Sequence, residues 1–206
     1  MFGTSSKRKA GSSTPNRWLL IGLGNPGKEY EKTRHNIGAA LVSEYAKKAG
    51  VRFSSHKARA DVAETSIGVG AQRVSLIAAT LRCYMNVSGG PTSALANFYK
   101  IDGDHIIIAH DELDIPFQAI RIKYGGGDNG HNGLKSVTSG LSSPDYYRIR
   151  LGIGRPVGEQ DPADFVLRTF SAAERKDIDL FLRRGIDAVE LLITQGLEKA
   201  QNSFNK

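Results

Sequence analysis

The residues with the most chemistry to offer are His35 and Asp111, far apart in the chain. His35 stands at the start of an apolar helical pattern, reached by a polar connector from a glycine-rich turn holding Gly22, Gly24 and Gly27. A helix amino end disfavours the protonated imidazole, which suits a base. Asp111 lies at the end of the apolar run His105–Ala109, with only His110 between. A carboxylate there is placed to accept a hydrogen bond from an imidazole and to fix its tautomer. No serine or cysteine stands out as a nucleophile, so such a pair would activate a water. Cys83, the only cysteine, has no obvious base beside it and reads as apolar filler.

Three asparagines, Asn25, Asn86 and Asn132, fall at segment ends. Each alone suits a turn, but three converging carboxamides would make a neutral site that holds carbonyls, a water or a developing oxyanion. His110, Asp111, Glu112, Asp114 and His131 offer metal-ligand types, yet their spacing matches no dedicated metal site. Successive residues such as His110 and Asp111 on a strand also point to opposite faces. No metal and no cofactor is expected. Gly22-x-Gly24-x-x-Gly27 formally matches a dinucleotide fingerprint, but Pro26 and the polar run to Arg34 stand where a helix must open. The stretch Gly125–Gly133 could bring backbone N–H groups close to phosphate or peptide. Arg121, Lys123, Arg148, Arg150 and Lys135 would give it a basic face.

The elements that must position these groups read as one α/β domain, a twisted, mostly parallel but mixed sheet flanked by helices. Strands are predicted at Trp18–Leu23, Ala58–Thr65, Arg73–Ala79, His105–Ala109, Ala119–Tyr124 and Tyr146–Gly154, the last with one wet face carrying Arg148 and Arg150. Helices are predicted from Asn36 to Lys48, from Ser88 with Leu95, Phe98 and Tyr99 facing the core, and from the glycine-rich stretch to about Leu141. A capping-box pattern at Ser171–Glu174 predicts a long helix with the stripe Ile178, Leu182, Ile186, Val189 and Ile193, stopped by Gly196. Residues 155–164 read as a polar loop.

The 206 residues are 40% hydrophobic and 24% charged, an ordinary globular composition. A net charge of +7 points to an anionic partner, nucleic acid first. Lys7, Arg8, Lys9 and Arg17 supply part of that charge from an acid-free start, so residues 1–16 read as a disordered basic tail before a domain at 17–206. No apolar run approaches the ~20 residues needed to span a bilayer, and no signal-peptide core is present. A cytoplasmic protein is expected, and a monomer, because no long apolar seam advertises a dimer.

Taken together, four blocks resemble the bacterial-type peptidyl-tRNA hydrolase family. They are GLGNPGKEYEKTRHNIG (22–38), YMNVSG (84–89), AHDELDIP (109–116) and GGGDNGHNGLKS (125–136). The resemblance spans about residues 17–200. It implies hydrolysis of the ester between a peptide's carboxyl end and the 3′ ribose of tRNA. His35 would be the base and Asp111 its orienter. Asn25 would sit near the peptide end, and Asn86 and Asn132 would hold carbonyls or water. Tyr30 and Tyr84 would line the entry of the tRNA's terminal nucleotides. Lys123, Arg148 and Arg150 would meet acceptor-stem phosphates. The segment 155–164 departs from the family in holding Glu159, Asp161 and Asp164 where many relatives have lysines, which suits a lid over the peptide better than a phosphate clamp. The tail would then compensate, and its deletion should flatten the salt dependence of tRNA binding. The competing expectation is an RNA-binding relative of splicing-factor type that has lost hydrolysis.

Overall fold

The computed structural model describes residues 17–70, 73–156 and 158–206. The basic tail at 1–16 lies outside them. The chain builds a seven-stranded mixed sheet in the order β2-β3-β4-β1-β5-β7-β6. Its centre is β1 (Arg17–Gly22), flanked in parallel by β4 (Val74–Leu81) and β5 (Ile106–Glu112), with β7 (Tyr147–Gly152) parallel to β5. β3 (Ala60–Ile67) and β6 (Ile120–Tyr124) run antiparallel on the two sides, and the short edge strand β2 (Ser54–His56) pairs with β3. That edge strand is too short and polar to have been visible in the sequence.

The central strands are apolar on both faces because helices cover both. Leu20 of β1 and Ile107 and Ala109 of β5 pack on the face covered by α1 (Ile37–Lys48), α5 (Ile178–Gln195) and α6 (Leu197–Phe204). Leu19 and Ile21 of β1 and Ile106 and Ile108 of β5 pack on the other face, with α2 (Gly89–Tyr99) and α3 (Asn132–Leu141). Burying a large aliphatic chain fully is worth roughly 1.5–3 kcal/mol, so this two-sided strand core is the main adhesive of the fold. In α2, Leu95 is buried as expected but Phe98 is exposed, because the helix presents that turn beyond the sheet edge, against His56 of β2.

Two local expectations shift. Ser171 and Glu174 do form a reciprocal capping box, Ser171 N–H to Glu174 Oε2 at 2.6 Å and Glu174 N–H to Ser171 Oγ at 3.2 Å. It caps a single 3-10 turn, Glu174–Lys176, and α5 begins only at Ile178. Residues 155–164 are not all loop: Asp161 accepts from the Ala163 N–H and starts a short helix α4 (Pro162–Val166) with proline in its first turn.

The glycines of the fingerprint-like turn serve a close approach. A Cβ on Gly22 would lie 2.3 Å from the Gly38 carbonyl oxygen, and one on Gly38 would lie 2.1 Å from that of Ala109. The start of α1 therefore sits directly on the carboxyl ends of β1 and β5. That contact puts the residues preceding α1 at the edge of the sheet where open α/β folds place their ligands.

Candidate active site

Three consecutive central strands, β4, β1 and β5, deliver their carboxyl ends to one cavity of about 800 Å³. Asn25 follows β1, Tyr84, Met85 and Asn86 follow β4, and Asp111 is the second-to-last residue of β5. His35 comes from the 3-10 turn Arg34–Asn36 that leads into α1, and His131 and Asn132 from the start of α3. Asn25, His35, Tyr84, Asn86, Asp111 and Asn132 therefore share one cavity. Tyr30 lies in the turn before His35 and is not among the lining residues.

The Asp111 side chain is 3% exposed, and its Oδ1 faces two imidazoles, His35 Nδ1 at 2.9 Å and His131 Nε2 at 3.0 Å. Burial pushes the Asp111 carboxyl up, but His131 and then His35 more than offset it, and the group lies well below the ordinary carboxylate range. It is an anion throughout the neutral range.

The two histidines are not equivalent. His131 Nδ1 accepts from the backbone N–H groups of Gly133 at 3.1 Å and Leu134 at 3.3 Å, capping α3. An acceptor nitrogen carries no proton, so the proton of His131 sits on Nε2, where it is donated to Asp111. His35 Nδ1–H makes the second donation, which leaves His35 Nε2 with its lone pair on the cavity side and without a partner among the described residues. Only His35 has a basic nitrogen to offer. The same tautomers argue against a metal here: the donors of His35, Asp111 and His131 lie within 4.8 Å of one another, but two of the nitrogens face the carboxylate as N–H donors.

Asn25 is held rigidly. The Asn36 side chain accepts from the Asn25 N–H at 2.8 Å and donates to the Asn25 carbonyl at 2.9 Å. Asn25 Oδ1 in turn accepts from the Met85 N–H at 2.8 Å, tying the turn after β1 to the segment after β4. That leaves the Asn25 amide Nδ2 as a donor with no partner among the described residues. Asn86 and Asn132 are exposed on the cavity wall.

Of the basic residues of β7, Arg148 is buried and Arg150 only partly exposed. Arg148 is 2% exposed and donates to the carbonyls of Gly126 and Gly127, the latter through Nη1 and the former at 2.7 Å. Arg150 pairs with the buried Glu112 at 3.0 Å, and Glu112 also accepts from Asn129 Nδ2 at 2.8 Å. The expected phosphate contact of Arg148 is thus corrected: the glycine-rich loop folds over β7, and its carbonyls, not N–H groups, meet the guanidinium. Lys123, by contrast, is exposed on β6. His110, also buried, donates Nδ1–H to the Asp111 carbonyl oxygen at 2.7 Å, and burial first, then His131, pushes it down to about 3.

The far wall comes from Asp161, Pro162, Ala163, Val166 and Leu167, in and around α4. Arg34, next to His35, pins this wall. Its guanidinium lies 4.2 Å from the centre of the Phe165 ring, donates to the Thr169 carbonyl at 2.6 Å and pairs with Glu174 at 2.8 Å. Sequence reasoning missed the roles of Arg34, Asn36 and His131. Their presence in the TRHN and GHNG blocks was visible, but their tasks depend on backbone groups distant in sequence or on a tautomer.

A carboxylate-oriented imidazole beside convergent amides, in a cavity open to a large substrate, is equipped for water-driven cleavage of an ester. The family model described as peptidyl-tRNA hydrolase matches residues 19–206. The peptidyl-tRNA hydrolase of Pseudarthrobacter chlorophenolicus is 52% identical over 188 residues, 91% of this chain and 95% of that one. The one from Frankia alni is 54% identical, over 91% of this chain and 93% of its own length. The crystal structure of peptidyl-tRNA hydrolase from Acinetobacter baumannii superposes with a TM-score of 0.82 at 35% identity, covering 95% of this chain and 97% of that one. With half of its residues shared across nearly the whole of such relatives, this chain belongs to the peptidyl-tRNA hydrolase family.

Proposed function

We propose that this protein hydrolyses the ester between the carboxyl end of a peptide and the 3′ oxygen of the tRNA ribose, freeing the tRNA. The observation that carries the reading is the Nε2 of His35, without a partner among the described residues, whose Nδ1–H is anchored 2.9 Å from the buried Asp111 carboxylate. His35 Nε2 takes a proton from a cavity water as the water oxygen bonds to the ester carbonyl carbon. The tetrahedral intermediate then collapses with cleavage of the bond to the 3′ oxygen, which leaves as the ribose hydroxyl with that proton. The amide groups of Asn25, Asn86 and Asn132 supply neutral donors to the substrate carbonyls and the developing oxyanion. Asn25, with its clamped backbone, is the residue we assign to the peptide end. Tyr84, more than half exposed at the rim, is a stacking surface for the terminal nucleotides, and Lys123 a phosphate contact. The α4 wall is the cover over the peptide.

The same reading makes the protein a cytoplasmic monomer. Among the described residues, Phe98 on α2, Tyr124 on β6 and Leu180 on α5 are exposed apolar side chains on separate elements rather than one seam.

The test is release of N-acetylated amino acids from tRNA by the full chain in EDTA, against His35→Ala and against the free-amine ester. Hydrolysis that persists in EDTA, falls about a hundredfold or more in the variant and spares the free amine is the expected result. Tight tRNA binding by the wild type with no release would overturn it in favour of an RNA-binding relative. Loss of activity in EDTA would overturn the metal-free chemistry.

A further inference from the structure

The active site holds a second imidazole that the reaction has no proton for. His131 shares Asp111 Oδ1 with His35, and its ring centre lies 5.0 Å from that of His35. Its Nδ1 is locked as the cap of α3 and its Nε2–H is spent on the carboxylate. It cannot accept a proton without breaking the cap, and it cannot give one up without breaking the bond to Asp111.

We infer that His131 is a positioning residue that sets the pH at which His35 works, by dividing the Asp111 charge between two donors. This rests on the reading of His35 as the base. A carboxylate facing a single imidazole stabilises the imidazolium with its full charge and so draws the base toward its protonated, inactive form. A second, neutral N–H donor on the same oxygen leaves less of that charge for His35, while keeping the carboxylate ionised and fixed in space. Because His131 is also the N-cap of the helix that Asn132 opens, the device ties the charge on the base to the placement of an amide in the same cavity.

The other titratable groups around this trio come from every neighbouring element. They are His110 and Glu112 on β5, Arg34 beside His35, Arg148 and Arg150 on β7, and Asp128 and Lys135 on either side of His131. Tyr84, Arg155 and Asp161 stand around the cavity. All are held constant in the comparison that follows.

His131→Asn and His131→Gln separate the two bonds. Asparagine keeps an acceptor near the position of Nδ1 and can cap α3, but does not reach Asp111. Glutamine places an N–H near the position of Nε2 and loses the cap. We expect the acid limb of kcat/KM for N-acetyl-aminoacyl-tRNA to move upward by roughly half a unit to one unit in His131→Asn, and to stay with the wild type in His131→Gln. The carbon-bound ring protons of His35, followed by NMR in the same proteins, should titrate at correspondingly higher pH in His131→Asn. An acid limb and a His35 titration unchanged in His131→Asn would overturn the proposal. If the His35 titration moves but the rate profile does not, the base assignment fails while the coupling stands. Should the variants not fold, the wild type still decides: nitrogen-15 shifts must show His131 as the neutral Nε2–H tautomer and His35, when neutral, as the Nδ1–H tautomer. A His131 protonated on Nδ1 would sink the idea.

Discussion

The side chain of Asn36 exchanges two hydrogen bonds with the backbone of Asn25, one accepted and one donated, and so fixes a residue eleven positions earlier against the first turn of α1. This bracket explains why the turn after β1 keeps its shape without a helix to follow it. Replacing Asn36 by alanine should free Asn25 to drift from the cavity. We expect kcat/KM to fall ten- to a hundredfold with a melting temperature lowered by only a few degrees. A thermal loss without a kinetic one would mean that the bracket is only structural.

Arg148 and Lys123 should behave in opposite ways. Arg148→Met removes the donors that hold Gly126 and Gly127, and we expect a loss of roughly 2–4 kcal/mol in urea unfolding from unsatisfied carbonyls. The salt dependence of tRNA binding should be unchanged. Lys123→Ala should leave stability within about 0.5 kcal/mol, yet lower the slope of log affinity against log salt by about one. Both effects falling on one variant would contradict the assignment.

Arg34→Lys keeps the charge but not the planar stack on Phe165 or the fork that reaches Thr169 and Glu174. The α4 wall should loosen, with faster amide exchange across 162–170 and a raised KM at little-changed kcat. Exchange unchanged in that segment would show that the wall is held by other contacts.

Acid should weaken the fold in a defined window. His110 sits near 3 when folded and near its ordinary 6.5 when unfolded. Below 6.5 the unfolded chain binds the extra proton, so this group's contribution is fully present above about 6.5 and is lost as the pH falls toward 3, by up to roughly 1.4 kcal/mol per unit. Asp111, held low, adds its own loss only below its ordinary value of 3.8. Urea midpoints between pH 7 and 4.5 should therefore fall less steeply for His110→Asn, which keeps a donor for the Asp111 carbonyl but does not titrate. Parallel curves for the two proteins would refute the buried-neutral assignment.

Much of the fold was legible in the chain because its signals are local. The apolar runs at β1 and β5, the stop at Gly50 and the stripe on α5 each show in a window of a few residues. His35, Asp111 and the three asparagines could be picked out because each ends a segment, and segment ends of such a sheet converge. Arg148 was misread because alternation reveals which residues share a face, not what later covers that face. A loop twenty residues upstream does the covering. Phe98 was misplaced because helical spacing fixes its direction around α2 but not where the sheet stops beneath it. His131 could be seen only as a possible ligand, since its tautomer depends on two backbone N–H groups and a carboxylate brought together by folding.

The bond between His35 and Asp111 joins residues 76 apart, from an element before α1 and a strand in the middle of the sheet. No hairpin or βαβ piece of this chain contains both. With His35 as the proposed base, the pair is a sensor of completed assembly: activity should return during refolding only once β1, β5 and the start of α1 have closed on one another. The single tryptophan, Trp18, lies buried near the start of β1, at the opposite end of that strand from the pair, against His105 and Tyr147. Its fluorescence and the recovery of hydrolysis should then follow one time course.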